Sequence, residues 1–282
     1  MSGLLLVTDL TYEAAGRRYC DEDIALAEWL RATWPVAMTS PRQAAELVDR
    51  FDVALVRNSG PVTGYRREYQ AFRRRVAEVG TPVYNPLHAR ADMAGKGYLI
   101  DLTKAGAAVV PTADHLDAAR LLADGNDCIL KPVDGADSQG LRRVTAADLE
   151  SADLTGMIVQ PLVDFRYEVS FVFVDETFHY ALYAPDPERR WELEPYEPSE
   201  QDLRFARYFI DWSGLSHGVQ RVDACRTNGG ELLLMELEDH NPYLSLLALP
   251  ATTRDSFLSD LTKSLGRLME ESRPGLTAQP DE

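Results

Sequence analysis

The sequence has few cysteines and no long apolar run. Its three cysteines, Cys20, Cys128 and Cys225, lie far apart and show neither CxxC nor Cys/His ligand spacing, which argues against a disulfide framework or a zinc site. No apolar stretch approaches the ~20 residues of a membrane span, and the N-terminus lacks the basic segment and apolar core of a signal peptide. We therefore expect a reduced, cytoplasmic protein that does not enter a membrane.

Positive charge is also scarce. The 282 residues contain 29 Lys and Arg against 45 Asp and Glu, which gives a formal net charge of -16. Without a long basic stretch, such a chain is unsuited to nucleic acid or to an anionic membrane surface. Any polyanion must be bound locally, by a few placed cations. With 45% hydrophobic and 26% charged residues, the composition indicates a globular protein of about two domains.

The first 90 residues alternate between strand-like and helix-like patterns. Residues 4–8, 53–56 and 82–85 are short apolar runs that predict strands, and residues 21–34 and 65–79 have helical patterns. This alternation predicts a small parallel α/β domain over residues 1 to about 90.

The pattern changes after residue 91. Helices are predicted at about 92–105, 116–122, 199–211 and 254–271, and strands at 128–131, 157–160, 168–174 and 177–184. This β-rich order predicts α+β lobes after the first domain. Residues 185–198, with four prolines and many charges, predict a mobile loop, and the polar, Pro/Gly-containing residues 273–282 predict a disordered tail.

Two strand-like segments near the C-terminus carry spaced charges. Because strand side chains alternate faces, Arg221 shares a face with Asp223, and Glu236 shares one with Glu238. Three carboxylates would then converge and repel by ~4 kcal/mol per pair at ~4 Å with an effective dielectric near 20, which favours a bridging cation. All-oxygen ligands indicate Mg²⁺ or Mn²⁺. The alternative is an acidic hairpin whose charges face solvent.

A glycine-containing loop follows the predicted strand that ends at Lys131. Residues 133–140 contain Gly135, Ser138 and Gly140, and such a loop can bring backbone N–H groups to phosphate oxygens while the lysine supplies a point charge. It is not a Walker loop, because Gly140 is followed by Leu141 and not by Lys-Ser/Thr. The alternative is an ordinary glycine-containing β-turn.

The order of these features resembles the ATP-grasp superfamily. Lys96 before a helix, Lys131 at the end of a strand, the glycine loop, the segment 158–163, Glu168 and the charge set follow one another along the chain. Within the superfamily, the chain is similar to carboxylate-amine ligases such as D-alanine:D-alanine ligase and to the ATP-grasp cyclase of cycloserine biosynthesis. The resemblance implies an ATP-grasp fold, with an N-terminal parallel α/β domain (1–90) before a central lobe (91–160) and a C-terminal lobe (161–272) that clamp ATP.

The resemblance also implies roles for individual residues. Lys96 and Lys131 match the lysines that grip the α- and β-phosphates, and Gly135 and Ser138 lie in the lid over the β- and γ-phosphates. The adenine hinge corresponds to Gln160, Pro161, Leu162 and Val163, and Glu168 to the acid that holds the ribose. The magnesium ligands are Asp223, Glu236 and Glu238, and the catalytic set is Arg221, Lys131 and Ser138, with Arg221 steadying the acyl phosphate.

Two departures from the family pattern are visible. The last metal ligand is commonly Asn in a Glu-x-Asn pattern, whereas this chain has Glu238, with Asn241 three residues later. Either residue could complete the metal site. Residues 150–250 contain no lysine, so the third phosphate-binding lysine of some members has no counterpart there. Arg189 or Arg190 could replace it, although both are also typical of solvated surface charges.

Substrate contacts are less well marked. Asn58 and Ser59 follow a predicted strand, at the edge where α/β folds bind ligands, although they could instead form a turn before the next helix. Arg166 could bind a substrate carboxylate or form a surface ion pair. Asn241 is the fourth candidate.

The resemblance implies an ADP-forming ligase that uses ATP and two Mg²⁺ ions, or Mn²⁺, to join a small carboxylate and an amine through an acyl phosphate. The substrates would be amino acids or peptide-like molecules, and the family commonly forms homodimers. Two alternatives stay open: ring closure within one molecule, and a nucleotide-binding module without turnover. We expect no nucleic-acid or membrane partner.

Overall fold

The fold is taken from a computed structural model that describes residues 3–14, 16–135, 138–186, 189 and 192–272. The strands in these ranges are β1 Leu4–Val7, β2 Glu13–Ala14, β3 Arg17–Arg18, β4 Val36–Thr39, β5 Val53–Val56, β6 Val83–Tyr84, β7 Cys128–Pro132, β8 Arg142–Val144, β9 Met157–Pro161, β10 Phe165–Val174, β11 Thr177–Ala184, β12 Glu194–Tyr196, β13 Val219–Thr227 and β14 Leu232–Glu238. The α-helices are α1 Cys20–Leu30, α2 Ala44–Leu47, α3 Arg66–Val79, α4 Tyr98–Lys104, α5 Leu116–Ala123, α6 Ala146–Leu149, α7 Glu200–Ser213 and α8 Ala251–Glu271. The predicted tail, 273–282, lies outside the described residues.

The first 90 residues form the predicted parallel sheet, in the order β4-β1-β5-β6. β1 and β5 are buried along their whole length, because helices and other elements cover both faces of the sheet. Leu4 and Leu6 pack in one cluster with α1 and α8, whereas Leu5 and Val7 pack in another with Phe72 of α3. The C-terminal helix is thus part of the core that holds the N-terminal sheet.

The predicted central lobe contains a three-stranded antiparallel sheet in the order β8-β7-β9. α5 and α6 pack against it through Ala119, Leu149 and neighbouring residues around Leu130 and Val159. β8 was not predicted, since its sequence Arg-Arg-Val has no apolar alternation and both arginines are exposed. Its backbone pairing with β7 is what makes it a strand.

The predicted C-terminal lobe contains a five-stranded antiparallel sheet in the order β12-β11-β10-β13-β14. One face carries Phe171, Val222 and Leu237, all fully buried against α4 and α7. α7 begins with a capping box in which Ser199 accepts from the Asp202 N–H, and such a cap stabilises a helix start. The opposite face of the sheet carries the polar residues described below.

Two predictions of local structure were wrong. The predicted helix at 92–105 is a short 3-10 turn, Asp92–Ala94, followed by α4. Gly95 separates them with φ +93°, and a Cβ there would meet Oδ1 of Asp134 at 3.0 Å, so an L side chain is unsuited to this position. The proline-rich segment 185–198, predicted as a loop, contains β12, which pairs with β11; residues 187–188 and 190–191 lie outside the described part.

In the ranges that the structure describes, no helix combines the length and the apolar character that a bilayer crossing requires.

Candidate functional site

The polar face of the C-terminal sheet brings the charged residues of β13 and β14 together. Arg221 lies opposite Glu238, and Asp223 lies opposite Glu236. Their neighbours Val222 and Leu237 are fully buried on the other face. This is the arrangement that the alternation of strand side chains predicts.

Arg221 binds two of these carboxylates. Its Nε and Nη2 donate to the two carboxylate oxygens of Asp223, both at 2.8 Å, and Nη2 also lies 2.6 Å from Oε1 of Glu238. Nη1 donates to the Tyr243 carbonyl oxygen. Burial disfavours the charged form of the guanidinium and lowers its pKa, but the attraction of Asp223 and Glu238 outweighs this effect, so the pKa of Arg221 is raised. The arginine is therefore held as a charged, bidentate partner of Asp223.

Two lysines meet the third carboxylate. Nζ of Lys96 lies 3.3 Å from Oε1 of Glu236, and Nζ of Lys131 lies 3.8 Å from the same atom. Burial disfavours the charged form of Glu236, but Lys96 and then Lys131 outweigh it and hold its pKa below the ordinary value. The two lysines, 35 residues apart in sequence, thus converge on one carboxylate.

The segment that carries Lys96 is fixed to the end of β14. Lys96 Nζ donates to Asp92 Oδ2 at 2.7 Å, and Tyr98 donates its hydroxyl proton to Asp92 Oδ1 at 2.9 Å. The same hydroxyl accepts from the Leu237 N–H. Asp239 accepts from two further backbone N–H groups of the segment, and burial raises its pKa to about 7.

Four residues of this site were not identified from the sequence: Asp92, Tyr98, Asp239 and Ser170. The Ser170 hydroxyl donates to Asp223 Oδ1. Only Asp92 had a local signal, since it precedes Lys96 by four residues. The other contacts join residues far apart in sequence, which no local pattern reveals.

The metal prediction can be compared with this geometry. Within the described ranges no group of three or more His, Cys, Asp or Glu side chains is arranged to hold a metal ion. The predicted convergence of three carboxylates on one ion-sized point is therefore not formed here, because the guanidinium of Arg221 lies between Asp223 and Glu238. The assignment of Asp223, Glu236 and Glu238 as metal ligands stays a prediction.

The chemistry of the donor set nevertheless fits a hard cation. Four carboxylates, those of Asp92, Asp223, Glu236 and Glu238, face three cations, those of Lys96, Lys131 and Arg221. The formal excess is one negative charge, 4 minus 3. Burial raises the pKa of Glu238 to about 8 despite the attraction of Arg221. The donors are all carboxylate oxygens, which Mg²⁺ and Mn²⁺ prefer, and a bound cation would favour the deprotonated form of Glu238.

The glycine loop lies beside the N-terminal domain. Asp134 pairs with Arg66 at 3.0 Å, and Gln139 Nε2 donates to the Tyr12 hydroxyl at 3.1 Å. Ser138 is exposed at φ +57°, a conformation that few non-glycine residues adopt. Residues 136–137 lie outside the described part. The loop therefore reaches from the central lobe to the first domain.

Comparison with known proteins decides the fold. No family model and no curated protein sequence matches the chain. Among solved structures, it is similar to the D-cycloserine synthetase DcsG, with a TM-score of 0.72 and 23% identity over 96% of this chain and 100% of the other. It is also similar to D-alanine–D-alanine ligase from Bacillus anthracis, with a TM-score of 0.65 and 14% identity over 97% and 100%. For the ATP-grasp ligase PsnB with its minimal precursor, the values are 0.62 and 18% over 94% and 99%.

The chain has the ATP-grasp fold. The fold class predicted from the sequence is confirmed, and the predicted resemblance is confirmed as a likeness of fold. At this level of identity the similarity shows the fold and assigns no role to a single residue, so the residue roles stay predictions.

The predicted adenine hinge of the ATP-grasp fold lies at the end of β9. The side chain of Gln160 is buried and donates to the Thr112 hydroxyl at 3.0 Å, and the Leu162 N–H donates to the Asp127 carbonyl. Glu168 lies on β10 two residues before Ser170, so both share the polar face of the sheet. Nucleotide contacts of Gln160, Pro161, Leu162, Val163 and Glu168 stay predictions.

The predicted substrate residues lie in two places. Ser59 accepts from Asn241 Nδ2 at 2.8 Å and from the Tyr65 hydroxyl at 2.7 Å. This contact joins the first domain directly to the segment after β14. Asn241 is thereby held by Ser59, whereas Glu238 is held by Arg221, so the two candidate metal ligands have different partners.

Asn58 and Arg166 have structural partners. The Asn58 amide is buried and donates to Glu22 and Asp23 of α1. Arg166 is exposed and donates to the Asn228 carbonyl. Arg189, considered as a substitute for a third phosphate-binding lysine, pairs with two acidic neighbours on its own segment; Arg190 lies outside the described residues.

Proposed function

We propose that this chain is an ADP-forming ATP-grasp ligase that joins a small-molecule carboxylate to an amine through an acyl phosphate. The observation that supports it is the convergence of Lys96 and Lys131 on Glu236, beside an arginine that binds Asp223 and Glu238. A group of partly buried carboxylates on one sheet face, with lysines from two other segments beside it, suits phosphoryl transfer, where positioning and electrostatics do most of the work.

In this proposal the lysines hold the phosphates of ATP. Each ammonium would exchange its contact with Glu236 for phosphate oxygens, which lets the site neutralise the nucleotide without new charges. Asp223, Glu236 and Glu238 would hold two Mg²⁺ ions, with Mn²⁺ as a substitute, and bound metal supplies the charge that offsets the transferring phosphoryl group. Similar structures include PsnB with Mg and ADP, which supports the choice of nucleotide and ion.

Bond formation follows two displacements. The substrate carboxylate oxygen attacks the γ-phosphorus and ADP leaves, which forms an acyl phosphate. The amine then attacks the acyl carbon, inorganic phosphate leaves and the nitrogen loses a proton. Arg221, once released from its carboxylate partners, would donate N–H groups to the oxyanion that develops at the acyl carbon. Closure of the loop that contains Gly135 and Ser138 would keep water from the acyl phosphate.

A ring-closing reaction is the second candidate. It is favoured by the similarity to D-cycloserine synthetase, which extends over 96% of this chain and 100% of that one. In that reaction the carboxylate and the amine belong to one molecule. Product mass separates the two: ligation gives the sum of two substrates minus water, whereas cyclisation gives one substrate minus water.

The test is ADP release with ATP, Mg²⁺ and a panel of amino acids, short peptides and amino-acid amines, followed by mass analysis of products. Substrate-dependent ADP release with a condensed product supports the proposal. ATP binding without ADP release across the panel would instead indicate a nucleotide-binding module. A cytoplasmic location and a homodimer belong to the same proposal, and sedimentation of the purified chain tests the dimer.

A further inference from the structure

One peptide unit links a buried carboxylate of the first domain to the proposed catalytic arginine. The N–H of Leu244 donates to Oε1 of Glu22 at 3.0 Å. The carbonyl oxygen of the same peptide unit, that of Tyr243, accepts from Nη1 of Arg221. Because a peptide unit is planar and rigid, holding its N–H limits where its carbonyl oxygen can point. Glu22 of α1 is thus connected to Arg221 of β13 through a single peptide plane.

The turn that contains this peptide unit is held on both sides of Ser245. Oε2 of Glu22 accepts from the Leu246 N–H at 3.2 Å, and the Tyr180 hydroxyl donates to the Leu244 carbonyl at 2.7 Å. Ser245 has φ +56°, a left-handed conformation that few non-glycine residues adopt without support from their surroundings. N–H groups that flank such a turn residue can converge on an anion, and here they converge on the carboxylate of Glu22.

Glu22 is itself fixed from within the first domain. Its side chain has no exposed surface, and Nη2 of Arg57 and Nδ2 of Asn58 donate to its Oε1 at 2.9 and 3.0 Å. Together with the two backbone donors, these groups suit the ionised carboxylate, which only accepts hydrogen bonds. Asp23, the other carboxylate of this cluster, binds Arg57, Asn58 and Thr8. None of these three partners lies in the turn.

The Tyr243 carbonyl differs from the two carboxylate partners of Arg221. Asp223 and Glu238 are predicted metal ligands, so the arginine would give up these contacts in the proposed reaction. The carbonyl is neutral and belongs to the fixed turn. It is therefore the contact that can keep the guanidinium in place while the carboxylates change partners.

We propose that Glu22 is a positioning residue for Arg221. Through the shared peptide unit, Glu22 sets where the guanidinium lies when the oxyanion develops at the acyl carbon. The inference rests on the proposed ligase function. It makes the contact between the first domain and the C-terminal sheet part of the geometry of catalysis.

The first measurement does not depend on turnover. The full chain is prepared with isotope-labelled arginine, and the guanidinium N–H signals of Arg221 are assigned in NMR spectra by their loss in Arg221→Lys. Glu22→Gln keeps the size of the side chain but replaces one acceptor oxygen with a donor. Exchange of the Arg221 N–H protons with water should become about tenfold faster or more, as for the loss of one hydrogen bond to a charged group.

Asp23→Asn is the matched control. Asp23 is as deeply buried as Glu22 and binds the same arginine, so both variants should have a lower urea midpoint. Exchange at Arg221 in the control should nevertheless stay within about twofold of the wild type. Tyr180→Phe is a second test variant that leaves the buried ion cluster intact. It frees the Leu244 carbonyl, and exchange at Arg221 should become faster, although by less than in Glu22→Gln.

The second measurement is ADP release with a substrate found in the panel described above. In Glu22→Gln, kcat should fall about tenfold or more, while the KM for ATP should change by less than about threefold. In the Arg221→Lys background the same substitution should lower kcat no further, because it acts through the arginine. A purely structural defect would lower kcat by the same factor in both backgrounds.

Three results would overturn the positioning role: unchanged exchange at Arg221 in Glu22→Gln, an equal change in Asp23→Asn, or equal losses of kcat in both backgrounds. If Glu22→Gln does not fold, unchanged exchange in Tyr180→Phe would have the same consequence. Failure of the ligase proposal is a separate outcome. Exchange at Arg221 that depends on Glu22, in a chain that releases no ADP with any member of the panel, would refute the ligase but keep the link between the two residues.

Discussion

Arg221 and Glu238 face each other across β13 and β14, with Nη2 of the guanidinium 2.6 Å from Oε1 of the carboxylate. The same guanidinium binds both oxygens of Asp223. One side chain thus occupies oxygens of two predicted metal ligands. In the proposed enzyme, Arg221 and the metal compete for these oxygens, so binding of the ion would release the arginine toward the substrate.

The first prediction concerns the metal. Asp223→Asn removes one charge from the site while the volume is kept, so the Mg²⁺ concentration for half-maximal ADP release should rise about tenfold or more. A Mg²⁺ titration of ADP release measures it. Glu231→Gln is the control, because Glu231 is exposed at the turn between the same two strands and bonds to Thr227. An unchanged Mg²⁺ requirement in Asp223→Asn would remove Asp223 from the ligand set.

The second prediction concerns nucleotide binding. Lys131→Ala deletes an ammonium that lies 3.8 Å from Glu236 and leaves one positive charge fewer to offset the phosphates of ATP. ATP affinity by calorimetry should fall about 10- to 100-fold, as for the loss of a charged hydrogen bond. Lys104→Ala, at the exposed end of α4, should bind ATP as the wild type does. Equal affinities in the two variants would contradict the phosphate role of Lys131.

The third prediction concerns a buried ion cluster in the first domain. Nη2 of Arg57 lies 2.9 Å from Glu22, and its Nε lies 3.2 Å from Asp23, with all three side chains at most 2% exposed. Glu22 also accepts from the backbone N–H groups of residues 244 and 246. The cluster therefore fixes α1 to the segment that follows the proposed metal strand.

Arg57→Met should leave two buried carboxylates without their cation and lower the free energy of unfolding by about 3–5 kcal/mol. Urea denaturation at neutral pH measures this. Arg75→Met removes an arginine of similar size that pairs with two acidic residues at the surface, and little change is expected. If both variants have the same urea midpoint, the buried cluster around Arg57 is not a determinant of stability.

The fourth prediction concerns pH. Burial lowers the pKa of His179 below 6.5 even though Asp260 lies 3.8 Å away. The unfolded chain then binds a proton more readily than the folded one between the folded pKa and 6.5. The contribution of His179 to stability is complete above 6.5 and is lost as the pH falls through this window.

His179→Phe should therefore flatten the decline of the unfolding midpoint as the pH falls below about 6.5. Denaturation at a series of pH values measures the slope. His115→Gln, at an exposed position, should keep the wild-type slope. If the unfolding midpoints of the wild type and His179→Phe decline in parallel as the pH falls, another group sets the pH dependence of stability.

Local sequence patterns were sufficient to predict strands where an apolar run or a two-residue alternation was clear. β5 and β11 have the bounds that the sequence predicted, because apolar runs and alternation mark a strand without reference to the rest of the chain. The shared face of Arg221 and Asp223 followed from the same two-residue period. The prediction failed at Gly95, whose positive φ separates the 3-10 turn from α4, and at β12, which exists because β11 offers a pairing edge.

The sequence by itself determined the order of lysines, glycine loop and acids that predicts the ATP-grasp fold, since spacing along strands is a local property. Only the tertiary structure decided which charges meet. Lys96 and Lys131 form ion pairs with Glu236. Arg221 pairs with Asp223 and Glu238, and Arg57 pairs with Glu22. The physical reason is that these charges come from segments far apart in sequence, and the packing of the sheets sets the distances on which their interactions depend.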